Sequence, residues 1–182
     1  MVVTPAPSPP PPRPRWRALA LGSVRHLAGL PRVLPGGGLA LERSWPRGFG
    51  LGADVLVESA AEPTTLGDVD ALLASVGLLG SWRVEQGRLA GESGLGARGG
   101  YARLAGRATP GASVRPGSIE APWVGPLVAA RLSANLGHRV VLSLGGELGY
   151  VTSAVAGHVQ GQPDVSVSGA WWNVVLGVGY AP

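Results

Sequence analysis

The residues with most chemical potential in this sequence are seven charged side chains set among glycines and serines. They are Glu42, Asp54, Glu58, Glu92, Arg98, Arg131 and Glu147. Each lies in a segment in which polar or small residues alternate with apolar ones. This is the pattern of a strand with one polar and one apolar face. Charges on an inner face must be paired, because an unpaired buried charge costs several kcal/mol. We therefore expect an ion-pair network, acting as a structural plug or lining a narrow polar pore.

Other candidate sites are weak. The three histidines, His26, His138 and His158, are far apart, and two of them fall in predicted turns at opposite ends of the fold, so a shared metal site is not expected. Residues Gly94 to Gly99 match the GxGxxG motif. A dinucleotide-binding site requires a helix after this motif, and no helical period follows it here. Cysteine is absent, which excludes thiol chemistry. We expect no catalytic, cofactor-binding or metal site.

Composition limits the fold class. Of 182 residues, 30 are glycine and only 14% are charged, against about 25% in soluble domains. Glycine costs about 1 kcal/mol in a helix interior, so a helical domain is disfavoured. The charge is too low to cover a water-facing surface. Much of the net charge of +4 comes from arginines near the N-terminus, namely Arg13, Arg15, Arg17, Arg25 and Arg32. The remaining arginines are scattered among acids, without the clustered basic face of a nucleic-acid-binding protein.

The closing stretch shows the strand pattern most clearly. Every second residue from Trp172 is large and apolar, namely Trp172, Val174, Leu176, Val178 and Tyr180. Seven earlier segments alternate in the same way. The eight predicted strands span about 16–28, 37–45, 49–61, 69–84, 88–106, 122–136, 140–157 and 165–180. Segment 69–84 also fits a short helix, because apolar residues nearly fill both of its faces.

The connections between these strands alternate in length. Short breaks at 46–48, 85–87 and 137–139 alternate with longer ones at 29–36, 62–68, 107–121 and 158–164. Short turns at one end and longer loops at the other are typical of outer-membrane barrels, as are long strands with an apolar outward face. The pattern predicts an all-β protein: a closed, antiparallel, up-and-down transmembrane β-barrel of about eight strands over residues 16–182. The closing strand would face lipid.

The ending GAWWNVVLGVGY resembles the C-terminal strand by which the barrel-assembly machinery recognises its clients, although Ala181 and Pro182 follow the aromatic Tyr180. From Trp16 to Tyr180 the chain resembles the small eight-stranded outer-membrane β-barrel proteins of Gram-negative bacteria, the OmpA/OmpW-like group. The resemblance implies an outer-membrane location, contact with membrane lipid and lipopolysaccharide, and assembly by that machinery.

Residues 1–15 form a Pro-rich tract, which predicts a disordered or extended linker. No signal peptide follows Met1, although an exported protein needs one. We therefore expect a longer exported protein or a misassigned start, with the linker joining an upstream periplasmic domain.

The functional expectation is a non-enzymatic barrel with a structural or anchoring role. Its lumen would be filled by small residues and the charged network. Three alternatives stay open: a membrane-embedded enzyme that modifies lipid A, a narrow pore, and a soluble calycin-like barrel that binds a small apolar ligand.

Overall fold

The computed structural model describes residues 15–30, 32–64, 67–108, 117–136, 139–157 and 165–182. They form eight β-strands. The strands are β1 (Arg15–Leu27), β2 (Leu34–Ser44), β3 (Phe49–Thr64), β4 (Gly67–Gln86), β5 (Leu89–Ala108), β6 (Ser118–Leu136), β7 (Val140–Gly157) and β8 (Val165–Tyr180). Each strand pairs antiparallel with the next, and β1 also pairs with β8, so that the sheet closes into a barrel. The predicted all-β, closed up-and-down barrel is therefore confirmed.

Closure depends on one seam, where the predicted closing strand meets the first. Ala18 lies opposite Tyr180 at one end of this seam, and Leu27 lies opposite Trp171 at the other. A sheet edge exposes unpaired N–H and C=O groups, and only full closure removes such edges. The register of β1 and β8 therefore completes the hydrogen bonding of the wall.

The sequence-based boundaries at 62–68 and 107–121 were wrong, whereas segment 69–84 is a strand, as predicted. It lies within the single strand β4, and the alternative of a short helix does not hold, because its backbone pairs with β3 on one side and β5 on the other. Residues 62–68 do not form a longer loop, since Thr64 already pairs with Gly67. The 107–121 break is shorter than expected, because β5 runs to Ala108 and β6 begins at Ser118. In each case continued pairing with a neighbour outweighs the local turn-forming composition.

The predicted linker, residues 1–15, lies outside the described residues except for Arg15, which begins β1. Within the part of the chain that the structure describes, no helix is long and apolar enough to cross a membrane.

The two ends of the barrel differ, and we name them by their connections. The turn end carries the connections β2–β3, β4–β5 and β6–β7 together with the start of β1 and the end of β8. The loop end carries the other four connections. Gly48 and Gly87 stand in two of the turns with positive φ angles of 87° and 63°, a backbone conformation that side chains with a Cβ rarely adopt.

The middle of the outer wall is an apolar belt. Leu39, Leu95 and Leu132 are 67%, 70% and 69% exposed, although each belongs to a fully paired strand. The five residues of the predicted lipid-facing stripe on β8, Trp172 to Tyr180 in alternation, also point outward. A belt of this kind matches the lipid-facing band of a transmembrane barrel.

Aromatic residues border this belt in two rings. The turn-end ring contains Trp16, Trp45, Phe49, Trp82 and Tyr180, and the loop-end ring contains Tyr101, Tyr150 and Trp172. On β8, eight residue steps separate Trp172 from Tyr180, which at ~3.3 Å per step and a tilt of ~40° gives a height of ~20 Å. The height approaches the ~25 Å of an outer-membrane apolar band.

A leucine-to-arginine change distinguishes a lipid-facing belt from a water-facing one. Leu176 stands midway between Trp172 and Tyr180, so L176R should destabilise folding into phospholipid vesicles by about 2–4 kcal/mol. The same change at the turn end, L136R, should cost only about 0–1 kcal/mol. Denaturant titration of both variants measures the difference. Equal, small effects together with solubility in the absence of detergent would contradict a membrane-facing wall.

Candidate functional site

Among the side chains that the structure describes, ten charged ones lie in the lumen, five basic and five acidic. They are Arg17, Arg25, Arg83, Arg98, Arg131, Glu42, Asp54, Glu58, Glu92 and Glu147. None of these side chains is more than 13% exposed. Five positive charges against five negative ones leave the set neutral. Balanced charge is the condition under which an enclosed, narrow space tolerates ions.

All seven charged residues that the sequence singled out lie in this lumen, and the structure brings them together with three arginines that were missed: Arg17, Arg25 and Arg83. Charge balance was the signal that could have found them, because five acids and two arginines leave a net charge of −3.

Two of the missed arginines lie on β1, whose pattern is inverted. Leucines occupy the inner face of that strand, while Ala18 and Ala20 occupy the outer one.

The first of two clusters lies toward the turn end. Arg17 Nη2 is 2.7 Å from Glu42 Oε2 and 3.0 Å from Glu92 Oε2, so one guanidinium bridges two carboxylates. Arg131 pairs with the other oxygen of Glu42, and Arg83 Nη1 is 3.6 Å from Glu92 Oε2. Strand register produces this cluster, because Arg17 lies directly opposite Glu42 and both Arg83 and Arg131 lie opposite Glu92.

At the turn-end mouth, beyond the aromatic ring, Arg83 also holds Glu85. Arg83 Nε donates a 2.8 Å hydrogen bond to Glu85 Oε1, and this bond holds the pKa of Glu85 below its ordinary value. A lowered carboxyl pKa means that the pairing is present at neutral pH and is lost as the pH falls through that pKa. The Arg83–Glu85 pair therefore persists at neutral pH.

The second cluster is centred on Arg98. Its guanidinium forms two parallel bonds to Asp54, 2.7 Å to Oδ1 and 3.0 Å to Oδ2, and a third of 3.0 Å to Glu147 Oε1. Ser75 Oγ lies 3.3 Å from Arg98 Nη1, and Asn173 Nδ2 donates to Glu147 Oε2 at 3.2 Å. Bidentate Arg–carboxylate pairs are among the strongest polar contacts in proteins. The cluster ties β3, β4, β5, β7 and β8 together across the lumen.

Glycine makes room for this cluster. Gly77 lies opposite both Asp54 and Arg98 in the sheet, and a Cβ there would stand 2.7 Å from Arg98 Nη2. A side chain at this position would therefore displace the ion pair. The abundance of glycine on the inner face thus has a packing reason in a barrel whose interior only just admits side chains.

Arg25 and Glu58 form the deepest pair. Arg25 Nε is 2.7 Å from Glu58 Oε2, Ser23 donates a 3.0 Å hydrogen bond to Glu58 Oε1, and both charged side chains are fully buried. The guanidinium carbon of Arg25 lies 4.6 Å from the ring centre of Trp171 and 5.6 Å from that of Trp123. Indole faces attract cations, so the two rings partly replace the water that Arg25 loses.

A layer of buried apolar side chains covers this pair on the loop-end side. It contains Leu27, Leu30, Leu34, Leu73, Leu104 and Val167. Between the two charge clusters a cavity of only about 10 Å³ remains, lined in part by Glu92, Arg131 and Glu147. This volume is at the lower limit for a single water molecule. In the described part of the chain, two ion clusters, the Arg25–Glu58 pair and an apolar cap thus occupy the lumen in succession.

The weaker sequence motifs take no part in this network. Gly94 to Gly99 lies in the middle of β5, between β4 and β6, with no helix opening on it. His26 points outward, and its ring centre is 5.7 Å from that of Trp172. His138 and His158 fall outside the described residues. Among the residues that the structure describes, no group of three or more His, Cys, Asp or Glu side chains is arranged to hold a metal ion.

Removing the central arginine should destabilise the barrel far more than removing a surface one. R98M leaves Asp54 and Glu147 buried without their cation and should cost about 3–5 kcal/mol. R107M breaks an ion pair with Asp70 in which Arg107 is 74% exposed, and should cost less than about 1 kcal/mol. Denaturant midpoints in detergent micelles measure both, and equal costs would show that the lumenal pairs do not hold the fold.

Comparisons with known proteins bear on the fold. No protein-family model matches the sequence, and no curated protein matches it. Among solved structures, the chain is similar to a major outer membrane protein of Thermus thermophilus, with a TM-score of 0.68 and 11% identity over 93% of this chain and 99% of that one.

Two further structures resemble the chain at about the same coverage. Ail, the attachment invasion locus protein of Yersinia pestis, has a TM-score of 0.56 and 16% identity over 93% of this chain and 97% of that one. OprG of Pseudomonas aeruginosa has a TM-score of 0.56 and 12% identity over 93% and 95%. The predicted resemblance is therefore confirmed at the level of the fold: the chain has the architecture of the small eight-stranded outer-membrane β-barrels.

Proposed function

We propose that the chain is an outer-membrane β-barrel with a structural, anchoring role and no catalytic activity. The observation that carries this proposal is the combination of an apolar outer wall with a lumen closed by a neutral ion network. The wall supports a membrane environment, and the filled lumen of the described residues argues against a transport role.

The exposed belt argues against a soluble calycin-like barrel. Such a barrel keeps its apolar residues inside around a ligand, and its outer wall is polar. Here the outer wall carries the leucines, valines and aromatic rings, whereas the inside carries ten charges. The cavity between the two charge clusters, about 10 Å³, is also far smaller than a ligand-binding site.

The filled lumen argues against a narrow pore. Arg17, Arg98 and Arg25 each pair with carboxylates from other strands, so that each spans part of the lumen. A permeating ion would have to break several buried pairs and pass the indoles of Trp123 and Trp171. Breaking even one buried pair costs about 3–5 kcal/mol, which makes the network a barrier.

The partners follow from this location. Membrane lipid and lipopolysaccharide would surround the apolar belt, and the barrel-assembly machinery would recognise β8 and insert the chain. The Pro-rich residues 1–15 would connect the turn end to an upstream periplasmic segment, because β1 begins at that end. Short turns face the periplasm in bacterial barrels, which supports a periplasmic turn end. No nucleic-acid partner is proposed.

Conductance measurements test the closed lumen. The full chain reconstituted in a planar lipid bilayer should show no discrete current steps, and it should migrate on gels with the heat-dependent shift of a folded barrel. A large porin in the same bilayer serves as the positive control. Regular current steps from the wild type that change in size or selectivity in E147Q would contradict the plug and establish a pore, because Glu147 lines the space between the clusters.

Mass analysis of lipid A tests the absence of catalysis. Cells that express the wild type and the H26A variant should contain identical lipid A, because His26 contacts Trp172 rather than a serine hydroxyl. A modification that appears with the wild type and disappears with H26A would establish a lipid-modifying enzyme.

A further inference from the structure

One arginine of the turn end stands on the outer wall, among the aromatic residues that border the belt. Arg43 lies opposite Trp16 on β1 and Leu51 on β3, and both of these neighbours are exposed on the outside. The guanidinium carbon of Arg43 is 5.2 Å from the ring centre of Trp16 and 4.9 Å from that of Trp45. Two indoles therefore hold this cation at the border of the apolar belt.

Within the described part of the chain, Arg43 forms no ion pair, and its Nε is buried without a hydrogen-bond acceptor. The surroundings are also positive. The outside of the turn end carries Arg15, Arg43, Arg47, Arg88 and Arg139 against the single acid Glu85, an excess of four positive charges. An anion is the missing complement at this end, and a guanidinium is well suited to phosphate.

An apolar groove begins beside Arg43 and runs away from the turn end. Its volume is about 530 Å³, and the outward side chains that line it include Ala18, Ala20, Leu39, Leu41, Ala53 and Val55. The groove exists because β1 presents small residues outward where its neighbours present large ones. Ala20 lies between Leu39 on β2 and Val178 on β8, and Ala18 lies between Leu41 and Tyr180.

We propose that this surface is a binding site for one anionic glycerophospholipid of the membrane leaflet at the turn end. The phosphate contacts Arg43 between Trp16 and Trp45, and one acyl chain lies in the groove over β1 to β3. Charge and shape support the same occupant. Arg43 lies at the turn end, where a lipid headgroup would be, and the apolar groove lies toward the middle of the belt, where its acyl chain would be. The proposal rests on the membrane location proposed above.

Native mass spectrometry of the detergent-solubilised full chain tests the site. With phosphatidylglycerol added, the wild type should retain one lipid, and it should retain phosphatidylcholine at least about tenfold less. R43Q should weaken phosphatidylglycerol binding by about tenfold, the loss expected for one charge-assisted phosphate contact. R43K keeps the charge but loses the planar guanidinium group, so its affinity for phosphatidylglycerol should lie between that of the wild type and that of R43Q. Equal retention of both lipids by the wild type would overturn the proposal.

Two further variants separate this site from general attraction. R88Q removes a turn-end arginine in the β4–β5 connection, away from the groove, and should weaken binding less than about twofold. A20F fills the groove while keeping Arg43, and should weaken retention as R43Q does. A similar loss in R88Q and R43Q would show diffuse charge attraction and overturn the site.

Lipid A, added in place of phosphatidylglycerol, separates the two possible sources of a lipid phosphate. Tighter, Arg43-dependent retention of lipid A would overturn the assignment to a glycerophospholipid. Heat-dependent gel migration is measured on the same samples. A normal heat-dependent shift in gel migration with no lipid retained would contradict the lipid site alone. Loss of this shift in the wild type would contradict the proposed membrane barrel itself.

Discussion

The interior of an eight-stranded barrel admits side chains and little else, and this constraint governs the rest of the structure. Every inward residue must fill the space and also leave it electrically neutral, because water is too scarce there to screen a charge. Five arginines and five acids meet both conditions. Because each ion pair joins different strands, filling the lumen also fixes the register of the wall. The network is therefore part of the fold and not an addition to it.

Glycine and tryptophan show how the packing adapts to these charges. Gly77 leaves space for the Asp54–Arg98 pair, and Gly149 leaves space for the indole of Trp171, which a Cβ would overlap. Trp171 in turn lies over Arg25 and belongs to the apolar cap. Its neighbour Trp172 points outward to the belt. Two adjacent residues of one type thus serve opposite faces, which alternation along a strand makes possible.

Alternation also explains which features could be predicted from the sequence. Strand number, closure and the outward stripe of β8 followed from a period of two with a clear contrast between faces. Arg17 and Arg25 were missed because β1 lacks that contrast, with leucines inside and alanines outside. The ends of β3 and β4 were missed because pairing between strands, a long-range interaction, extends them through residues whose composition favours a turn. The distances within the network depend on register and on side-chain packing, which no local pattern contains.

The distribution of charge along the barrel axis follows from the same division of faces. The chain has 15 basic and 11 acidic residues. The lumen holds five of each, and the outside of the turn end has five arginines and one glutamate. Among the described residues the lumen thus adds no net charge, and the turn end carries an excess of four positive charges. A neutral lumen thus leaves the field of the protein concentrated at the end where the chain enters and leaves the barrel. That field favours anionic groups there, and Arg43 is the point at which it meets the apolar belt.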